Sequence, residues 1–218
     1  MSSEKKGLGF VELVDQMGDA TSIVNAARVS FGKRHEGALR DKDKRLIKYL
    51  WSHKHTSPFR HVQFTFHIKA PIFVIRQWQK HQVGCAWNEM SGRYVEFANE
   101  IYKPQTWRES IKDVKQGSGF SLVDQETPSI IYEEACKSAF EAYQALIESG
   151  VCREQARIVL PLSMFTQCFW SCSFQALIHF LKLRLAKDAQ VETQLYAHAL
   201  FEILNRDEDM KFLLEVCL

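Results

Sequence analysis

This chain of 218 residues has no long apolar run and no segment typical of export. Its apolar stretches, such as APIFVI, are far too short to span a bilayer. The opening residues, MSSEKKGLGF, lack the apolar core of a signal peptide. We therefore expect a soluble, cytoplasmic protein that makes no membrane contact.

Paired cysteines are also missing, since none of the six forms a C-x-x-C motif. The cysteines are Cys85, Cys136, Cys152, Cys168, Cys172 and Cys217. Several lie in apolar stretches, which favours reduced, structural thiols in a reducing compartment. A zinc site would need cysteines and histidines in clusters, so no metal is predicted.

An excess of one charge is absent too, because 28 basic and 26 acidic residues leave a net charge of +2. That balance argues against a protein dedicated to duplex nucleic acid, although it allows a local pocket for one small anion. The sequence contains no G-x-S-x-G, P-loop or G-x-G-x-x-G motif. With 46% apolar and 25% charged residues, the composition predicts one globular domain over residues 1–218.

Strands are predicted where apolar and polar residues alternate. The clearest case is HVQFTFHIKA, in which Val62, Phe64, Phe66 and Ile68 alternate with polar residues. The predicted strands are residues 9–15, 61–70, 93–97 and 164–173.

Helical spacing of apolar residues covers much of the rest. The predicted helices are residues 20–31 with Thr21 or Ser22 as cap, 42–53, 71–81 with Pro71 in the first turn, 128–149 beginning at Pro128, 152–160, 174–185 and 188–205. Residues 98–127 are polar around KQGSG and predict an excursion or mobile loop. The fold class expected is α+β, a mixed α/β arrangement: a single helix-rich domain with a small antiparallel or mixed sheet.

One stretch, RQWQKHQVGCAWNEMSGRY at residues 76–94, mixes bulky aromatics with charges in a way that suits neither a surface helix nor a core segment. At its end, Gly92 allows close backbone approach, Ser91 offers a hydroxyl and Arg93 can grip a phosphate. Taken alone, the motif is equally compatible with a capped turn and a surface arginine. The histidines of HKHTSPFRH allow a ligand-facing turn, but taken alone they favour a polar loop at a strand edge.

Two further arginines lie in apolar runs, Arg157 in ARIVLPL and Arg184 in LKLRL. An unpaired buried charge is costly, so each needs an anionic partner unless it is solvated at a helix edge. Arg93, Arg157 and Arg184 together favour a pocket for a small phosphorylated ligand.

The order of segments then resembles one family over nearly the whole chain. The matching segments are GFVELVD, AARVSF, HKHTSPFRH, FTFHIKAPIFVIRQW, NEMSGRY, LIESGVCREQARIVLPL, FW, LKLR and AQVE. They resemble the flavin-dependent thymidylate synthases. The resemblance implies reductive methylation of dUMP at C5 to give dTMP without a cysteine nucleophile. It also implies FAD, with NADPH and methylenetetrahydrofolate as co-substrates, and a homotetramer whose active sites are shared between subunits.

Site residues follow from the same resemblance, position by position. The residues implied to bind the nucleotide are Gln77, Lys80, Glu89, Ser91, Gly92, Arg93, Arg157 and Arg184. Those implied to lie at or near the flavin are His55, Ser57, Lys80, His81, Gln82, Glu89, Ser173, Gln175 and His179. Arg184 is the implied catalytic residue, which contacts the pyrimidine and favours ionisation at its N3.

The chain departs from the family pattern mainly on the flavin side. The family signature is Arg-His-Arg, seven residues and Ser, whereas here Lys80-His81-Gln82 precedes Ser91 by eight residues. The family usually has Arg at Gln175 and Glu at Arg60; Ser173, His179 and Asp188 replace Asn, Asn and His. We expect weaker FAD binding than in the family. Alternatives are C5 hydroxymethylation of dUMP or dCMP, and a catalytically inactive nucleotide-binding homologue.

Overall fold

A five-stranded antiparallel sheet forms the centre of the part of the chain that the structure describes. The computed structural model describes residues 2–5, 9–112 and 117–218. The strands are β1 Ser2–Lys5, β2 Gly9–Met17, β3 Gln63–Pro71, β4 Cys85–Glu89 and β5 Phe165–Ser173. Their order is β1-β2-β3-β5-β4, so two strands far apart in sequence, β3 and β5, are neighbours.

Alternation along β3 explains why this segment forms a half-buried strand. Phe64, Phe66 and Ile68 are almost completely buried, while the residues between them are half-buried on the other face. Trp170 of β5 pairs with Phe66 in the register of the sheet and adds to the same buried face. The strands predicted at 9–15, 61–70 and 164–173 are confirmed.

Eight α-helices lie in the described residues, and some of them pack directly on the sheet. They are α1 Ala20–Arg28, α2 Asp41–Ser52, α3 Ile72–Trp78, α4 Glu126–Glu148, α5 Arg153–Ala156, α6 Phe174–Arg184, α7 Val191–Leu204 and α8 Glu208–Cys217. Short 3₁₀ turns occupy Val29–Phe31, Ser57–His61 and Arg157–Val159. The predicted α+β class is confirmed. None of the helices in the described residues combines the length and apolar content that a bilayer span requires.

Several element ends differ from the sequence prediction for local reasons. The cap of α1 is Asp19 rather than Thr21 or Ser22, because the Asp19 carboxylate accepts from the Ser22 backbone N–H at 2.8 Å. Pro71 ends β3 and caps α3 instead of lying in its first turn. The long helix begins at Glu126, two residues before Pro128.

The strand predicted at 93–97 is wrong. There the backbone N–H groups of Tyr94 and Val95 donate to the Ser91 carbonyl at 3.0 and 3.2 Å, which closes a turn. The strand that exists is β4, eight residues earlier in starting position, and it pairs with β5. In the KQGSG loop, Lys115 and Gln116 lie outside the described residues.

The aromatics of residues 76–94 are divided between core and edge. Trp78 is fully buried and stacks on Phe180 with ring centroids 4.6 Å apart. Trp87 is half-buried and stacks on Trp170 at 5.6 Å. The tryptophans of this stretch therefore anchor it in the core, and its polar residues are left to line the surface beyond α3.

Candidate active site

The turn between α3 and β4 forms one wall of a cavity of about 530 Å³. The start of α6 forms the opposite wall, and we call this the α6 cavity. Its lining residues are Arg60, Lys80, His81, Gln82, Val83, Gly84, Ser173, Gln175, Ala176, His179, Leu183 and Arg184. Most of the residues that the resemblance implies for the flavin thus meet in one place, namely Lys80, His81, Gln82, Ser173, Gln175 and His179.

The first turn of α6 lines the α6 cavity. Ser173 is both the last residue of β5 and the cap of α6, where its hydroxyl accepts from the Ala176 backbone N–H at 3.3 Å. Gly84 lies against this cap at φ +74°, and a Cβ there would be 3.0 Å from the Ser173 hydroxyl. The glycine therefore lets the turn approach the positive end of the α6 dipole.

Arg60 adds a cation that the family pattern did not predict at this position. Its Nε donates to the Gln175 side-chain oxygen at 2.6 Å, and both residues line the α6 cavity. The resemblance implies arginine at 175 and glutamate at 60, whereas here the cation lies at 60. The positive charge absent at Gln175 is thus supplied from across the same cavity.

Arg184 is the last residue of α6 and lines two cavities. Its guanidinium donates hydrogen bonds to two neutral acceptors. Its Nε donates to His81 Nε2 at 3.1 Å, and its Nη2 donates to the Gln77 backbone carbonyl at 3.1 Å. Burial, the charge of Arg184 and neighbouring His179 lower the pKa of His81 to about 4. His81 is therefore neutral near pH 7, and no described carboxylate pairs with Arg184.

A second cavity, of about 710 Å³, lies on the other side of Arg184. We call it the α7 cavity, because residues preceding and opening α7 line it. The lining residues are Gln77, Arg108, Ile111, Gly117, Ser118, Arg184, Lys187, Asp188, Ala189, Gln190 and Val191. Arg184 is common to both cavities, so its guanidinium lies where the contents of one can meet the contents of the other.

A buried carboxylate holds two of the residues that line the α7 cavity, Arg108 and Gln190. Glu192 accepts from Arg108 Nη2 at 2.8 and 3.0 Å and from Gln190 Nε2 at 2.9 Å. Burial by itself raises the pKa of Glu192, but hydrogen bonds from its own backbone N–H, Arg108 and Gln190 outweigh burial and hold the pKa below its usual value. Gln190 in turn accepts from Gln77 Nε2, and Thr193 donates its hydroxyl to Gln77 Oε1 at 3.3 Å.

The remaining nucleotide residues form a separate group at the far end of β4. Gly92 packs so closely on Phe97 that a Cβ there would be 2.3 Å from the ring, and 3.1 Å from Arg157 Cδ. Arg93 donates from Nε to Glu154 at 3.0 Å on the exposed surface. Neither Arg93 nor Arg157 lines the α6 or the α7 cavity. The predicted nucleotide set is therefore split, with Gln77, Lys80 and Arg184 apart from Ser91, Gly92, Arg93 and Arg157.

Three other predicted residues also lie outside both cavities. Glu89 ends β4 and accepts from Gln79 at 3.0 Å and from Thr166 at 2.9 Å. His55 and Ser57 are exposed, and Ser57 is the first residue of the 3₁₀ turn that precedes β3. The same chain therefore does not bring His55, Ser57 and Glu89 to the α6 cavity.

Arg157 differs from the environment that its sequence predicted. An apolar run suggested burial against an anion, but Arg157 is exposed at the start of a 3₁₀ turn. Within the described residues no carboxylate pairs with it. The run ARIVLPL itself lies largely on the surface, since Ile158 is 77% exposed and Leu162 50%.

Sequence reasoning missed Arg108, Gln190, Glu192, Thr193 and the position of Arg60 in the α6 cavity. An acidic residue in the first turn of α7, two residues after Gln190, was the available signal for Glu192. Nothing local marked Arg108, because its partner lies 84 residues away. Among the described residues no cysteine lines either cavity, and all six thiols are free.

Comparison with known proteins shows the family to which the chain belongs. A family model described as thymidylate synthase complementing protein matches residues 12–207. A flavin-dependent thymidylate synthase of Thermus thermophilus is 49% identical over 197 residues, which covers 90% of this chain and 72% of that protein. One from Kosmotoga olearia is 46% identical over 199 residues, covering 90% of this chain and 85% of that protein.

A solved structure has a similar fold. The UMP/dUMP methylase PolB from Streptomyces cacaoi, bound with 5-Br dUMP, superposes with a TM-score of 0.84 at 33% identity. The match covers 94% of this chain and 93% of that chain. PolB bound with 5-Br UMP gives a TM-score of 0.81 at 32% identity, over 94% and 92% of the two chains.

Proposed function

The chain belongs to the flavin-dependent thymidylate synthase family, and we propose that it methylates dUMP at C5 to give dTMP. The observation that carries this proposal is the position of Arg184 on the wall shared by the α6 and α7 cavities. A reaction that joins a flavin and a pyrimidine needs two adjoining compartments. In this proposal the flavin occupies the α6 cavity and the pyrimidine the α7 cavity.

The residues of the α6 cavity fit FAD. The capped first turn of α6 directs backbone N–H groups at an anion, as helix N-termini do for phosphate. Arg60 and Lys80 add positive charge, and no described carboxylate pairs with Lys80. His81, Gln82 and Gln175 would complete the contacts. When bound, FAD supplies hydride chemistry, with NADPH as reductant and methylenetetrahydrofolate as carbon donor.

The proposed task of Arg184 is to stabilise negative charge on the pyrimidine. A guanidinium has five N–H donors. One on Nε and one on Nη2 are used by His81 and Gln77, so three remain for a ligand. Because both protein partners are neutral, no carboxylate cancels the positive charge of Arg184. That charge favours ionisation of the pyrimidine at N3, an effect that acts mainly in the transition state.

A second subunit would complete the nucleotide site. Arg93 and Arg157 lie away from the α7 cavity, yet the resemblance assigns them to the same nucleotide as Arg184. Exposed apolar side chains surround them, with Tyr94 76% and Ile158 77% exposed. We propose a homotetramer in which one subunit offers Arg184 and another offers Arg93 and Arg157. Light scattering tests this: a monomer at every concentration would contradict the shared site. The free thiols support a cytoplasmic location.

A single experiment tests the reaction. The FAD-loaded protein is reduced with NADPH and mixed anaerobically with dUMP and methylenetetrahydrofolate, and the product mass is determined. We expect dTMP, together with oxidation of the flavin in a single turnover. The changes at Lys80 and Gln82 favour 5-hydroxymethyl-dUMP as the second candidate product, and its mass distinguishes it. Parallel reactions with dCMP and UMP define the accepted nucleotide. Nucleotide binding without flavin oxidation or product would identify an inactive homologue.

A further inference from the structure

Gln77 lies where it can read the edge of a base. It is the penultimate residue of α3, and its side chain lines the α7 cavity beside Arg184. Its backbone carbonyl accepts from Arg184 Nη2, so the two residues are fixed relative to each other. A glutamine amide can present either its oxygen or its nitrogen to a given point. The identity of the preferred base depends on which of the two is presented.

A hydrogen-bond relay settles that orientation. An ionised carboxylate only accepts hydrogen bonds. Glu192 is 6% exposed and is held by Arg108, so it must receive the NH₂ group of Gln190. The oxygen of Gln190 is thereby turned toward Gln77 and can only accept, so Gln77 must donate from Nε2. Gln77 Oε1 then lies on the other branch of the amide, where Thr193 donates to one of its lone pairs.

We infer that Glu192, acting through Gln190, locks the Gln77 amide in the orientation that selects a uracil ring over a cytosine ring. The inference rests on the proposed function, in which Gln77 and Arg184 face the pyrimidine. Glu192 and Gln190 are positioning residues in this scheme, because they act through Gln77.

The donor and acceptor pattern of the two bases explains the selection. Uracil offers carbonyl, N3–H and carbonyl along its edge, whereas cytosine offers carbonyl, unprotonated N3 and an amino group. The second N–H of Gln77 Nε2 donates to the uracil carbonyl at C4, where cytosine carries an amino group instead. Arg184 has donors only and suits a carbonyl. Cytosine would place its amino group against the Nε2 donor and leave both groups unpaired, which sites of this kind reject strongly.

The test compares two ligands on the same folded protein, because a purely structural defect would weaken both alike. Dissociation constants for dUMP and dCMP are measured by calorimetry on FAD-loaded enzyme. For the wild type we expect dCMP to bind at least about 100-fold more weakly than dUMP. Glu192→Gln lets residue 192 either donate or accept, which frees Gln190 and Gln77 to reverse. We expect the dCMP/dUMP ratio to contract by about 10-fold or more.

A second variant guards against a folding defect, since Glu192→Gln also removes the charge that pairs with Arg108. Gln190→Met keeps the Glu192–Arg108 pair and the approximate size of the side chain, but it breaks the relay. It should contract the ratio in the same way. Glu133→Gln is the matched control, because it removes one exposed carboxylate charge outside both cavities and outside the relay. Its ratio should equal that of the wild type.

The outcomes separate this inference from the proposed function. Wild-type ratios in Glu192→Gln and Gln190→Met, with melting curves that show folded protein, would overturn the relay alone. Equal binding of dUMP and dCMP by the wild type would also overturn it and leave methylation of a pyrimidine nucleotide standing. Binding of neither nucleotide by the FAD-loaded wild type would overturn both.

Discussion

Arg184 donates from Nε to Nε2 of His81 across 3.1 Å, so the imidazole carries its proton on Nδ1 and remains neutral. The two residues face each other at the wall between the two cavities. A second proton, on Nε2, would make the imidazole positive and place it against the positive guanidinium. It would also remove the acceptor of Arg184. The position of the guanidinium therefore depends on the protonation state of the histidine.

The first prediction concerns stability against pH. A histidine in the unfolded chain titrates near 6.5, whereas the pKa of His81 in the folded protein is about 4. Between these values the unfolded state binds more protons, so the free energy of unfolding falls as the pH drops from about 6.5 to about 4. The total loss is on the order of 3 kcal/mol. His81→Gln, which keeps an acceptor for Arg184, should flatten this dependence in denaturant titrations. An unchanged slope would show that His81 is not its source.

The second prediction separates binding from turnover at Arg184. Replacement by alanine should depress single-turnover flavin oxidation far more than dUMP affinity, because the charge that Arg184 stabilises develops in the transition state. Loss of such a donor typically costs about 10²–10³ in rate. Arg184→Lys keeps the charge without the planar fork and should fall between the two. An Arg184→Ala protein with wild-type turnover would remove Arg184 from the proposed chemistry.

The third prediction concerns the phosphate. Arg93→Ala and Arg157→Ala should each weaken dUMP binding by about 1.5–3 kcal/mol, since each removes a charged hydrogen-bonding group. The loss should shrink with deoxyuridine, which has no phosphate. Calorimetry with both ligands checks this. If either variant bound both ligands as the wild type does, that arginine would not contact the phosphate.

The fourth prediction follows from the pairing of Arg93 with Glu154 at 3.0 Å. The Glu154 carboxylate occupies the guanidinium that the proposal assigns to the phosphate. Both side chains are more than half exposed, so the pair is weak, at about 0–1 kcal/mol. Glu154→Gln should therefore tighten dUMP binding by up to about fivefold. Glu96→Gln is the matched control, because Glu96 pairs with Arg153 instead. Equal effects of the two variants would point to general electrostatics.

The fifth prediction tests the relocated cation of the α6 cavity. We expect saturable FAD binding, weaker than in relatives with both signature arginines. Arg60→Ala should weaken it further by about 1–2 kcal/mol, as expected for a partly exposed charged contact. Arg45→Ala removes another exposed arginine, one outside the cavity, and should leave FAD affinity unchanged. If Arg60→Ala bound FAD as tightly as Arg45→Ala does, Arg60 would not replace the positive charge that an arginine at position 175 would supply.

Sequence patterns predicted the strands and helices in which buried residues recur at a regular spacing. The alternation in β3 and the apolar spacing in α6 reflect contact with one continuous core, so period alone located them. β4 was missed because it has five residues, follows a glycine and mixes exposed polar residues with a half-buried tryptophan. Its existence depends on the edge of β5, which is distant in sequence.

In the candidate site, too, the sequence predicted the residues that are close together along the chain and missed the pairings of distant residues. Lys80, His81 and Gln82 lie on one short turn, so their arrival in one cavity required only the correct placement of that turn. The pairing of Arg60 with Gln175 joins residues 115 positions apart. The relay from Glu192 joins helices that meet only in the folded chain. Such contacts leave no local pattern in the sequence.

The absence of a linker at Ser173 has a consequence for how this chain tolerates changes in length. One residue ends β5 and caps α6, so an insertion there would turn the helix by about 100° and swing Arg184 away from His81. The segment from Gln82 to Ser91, by contrast, carries one residue more than the family signature. Natural insertions and deletions should therefore accumulate in the α3–β4 turn and be purged from the β5–α6 junction. A library of single-residue insertions, selected for growth without thymidine, would measure that contrast directly.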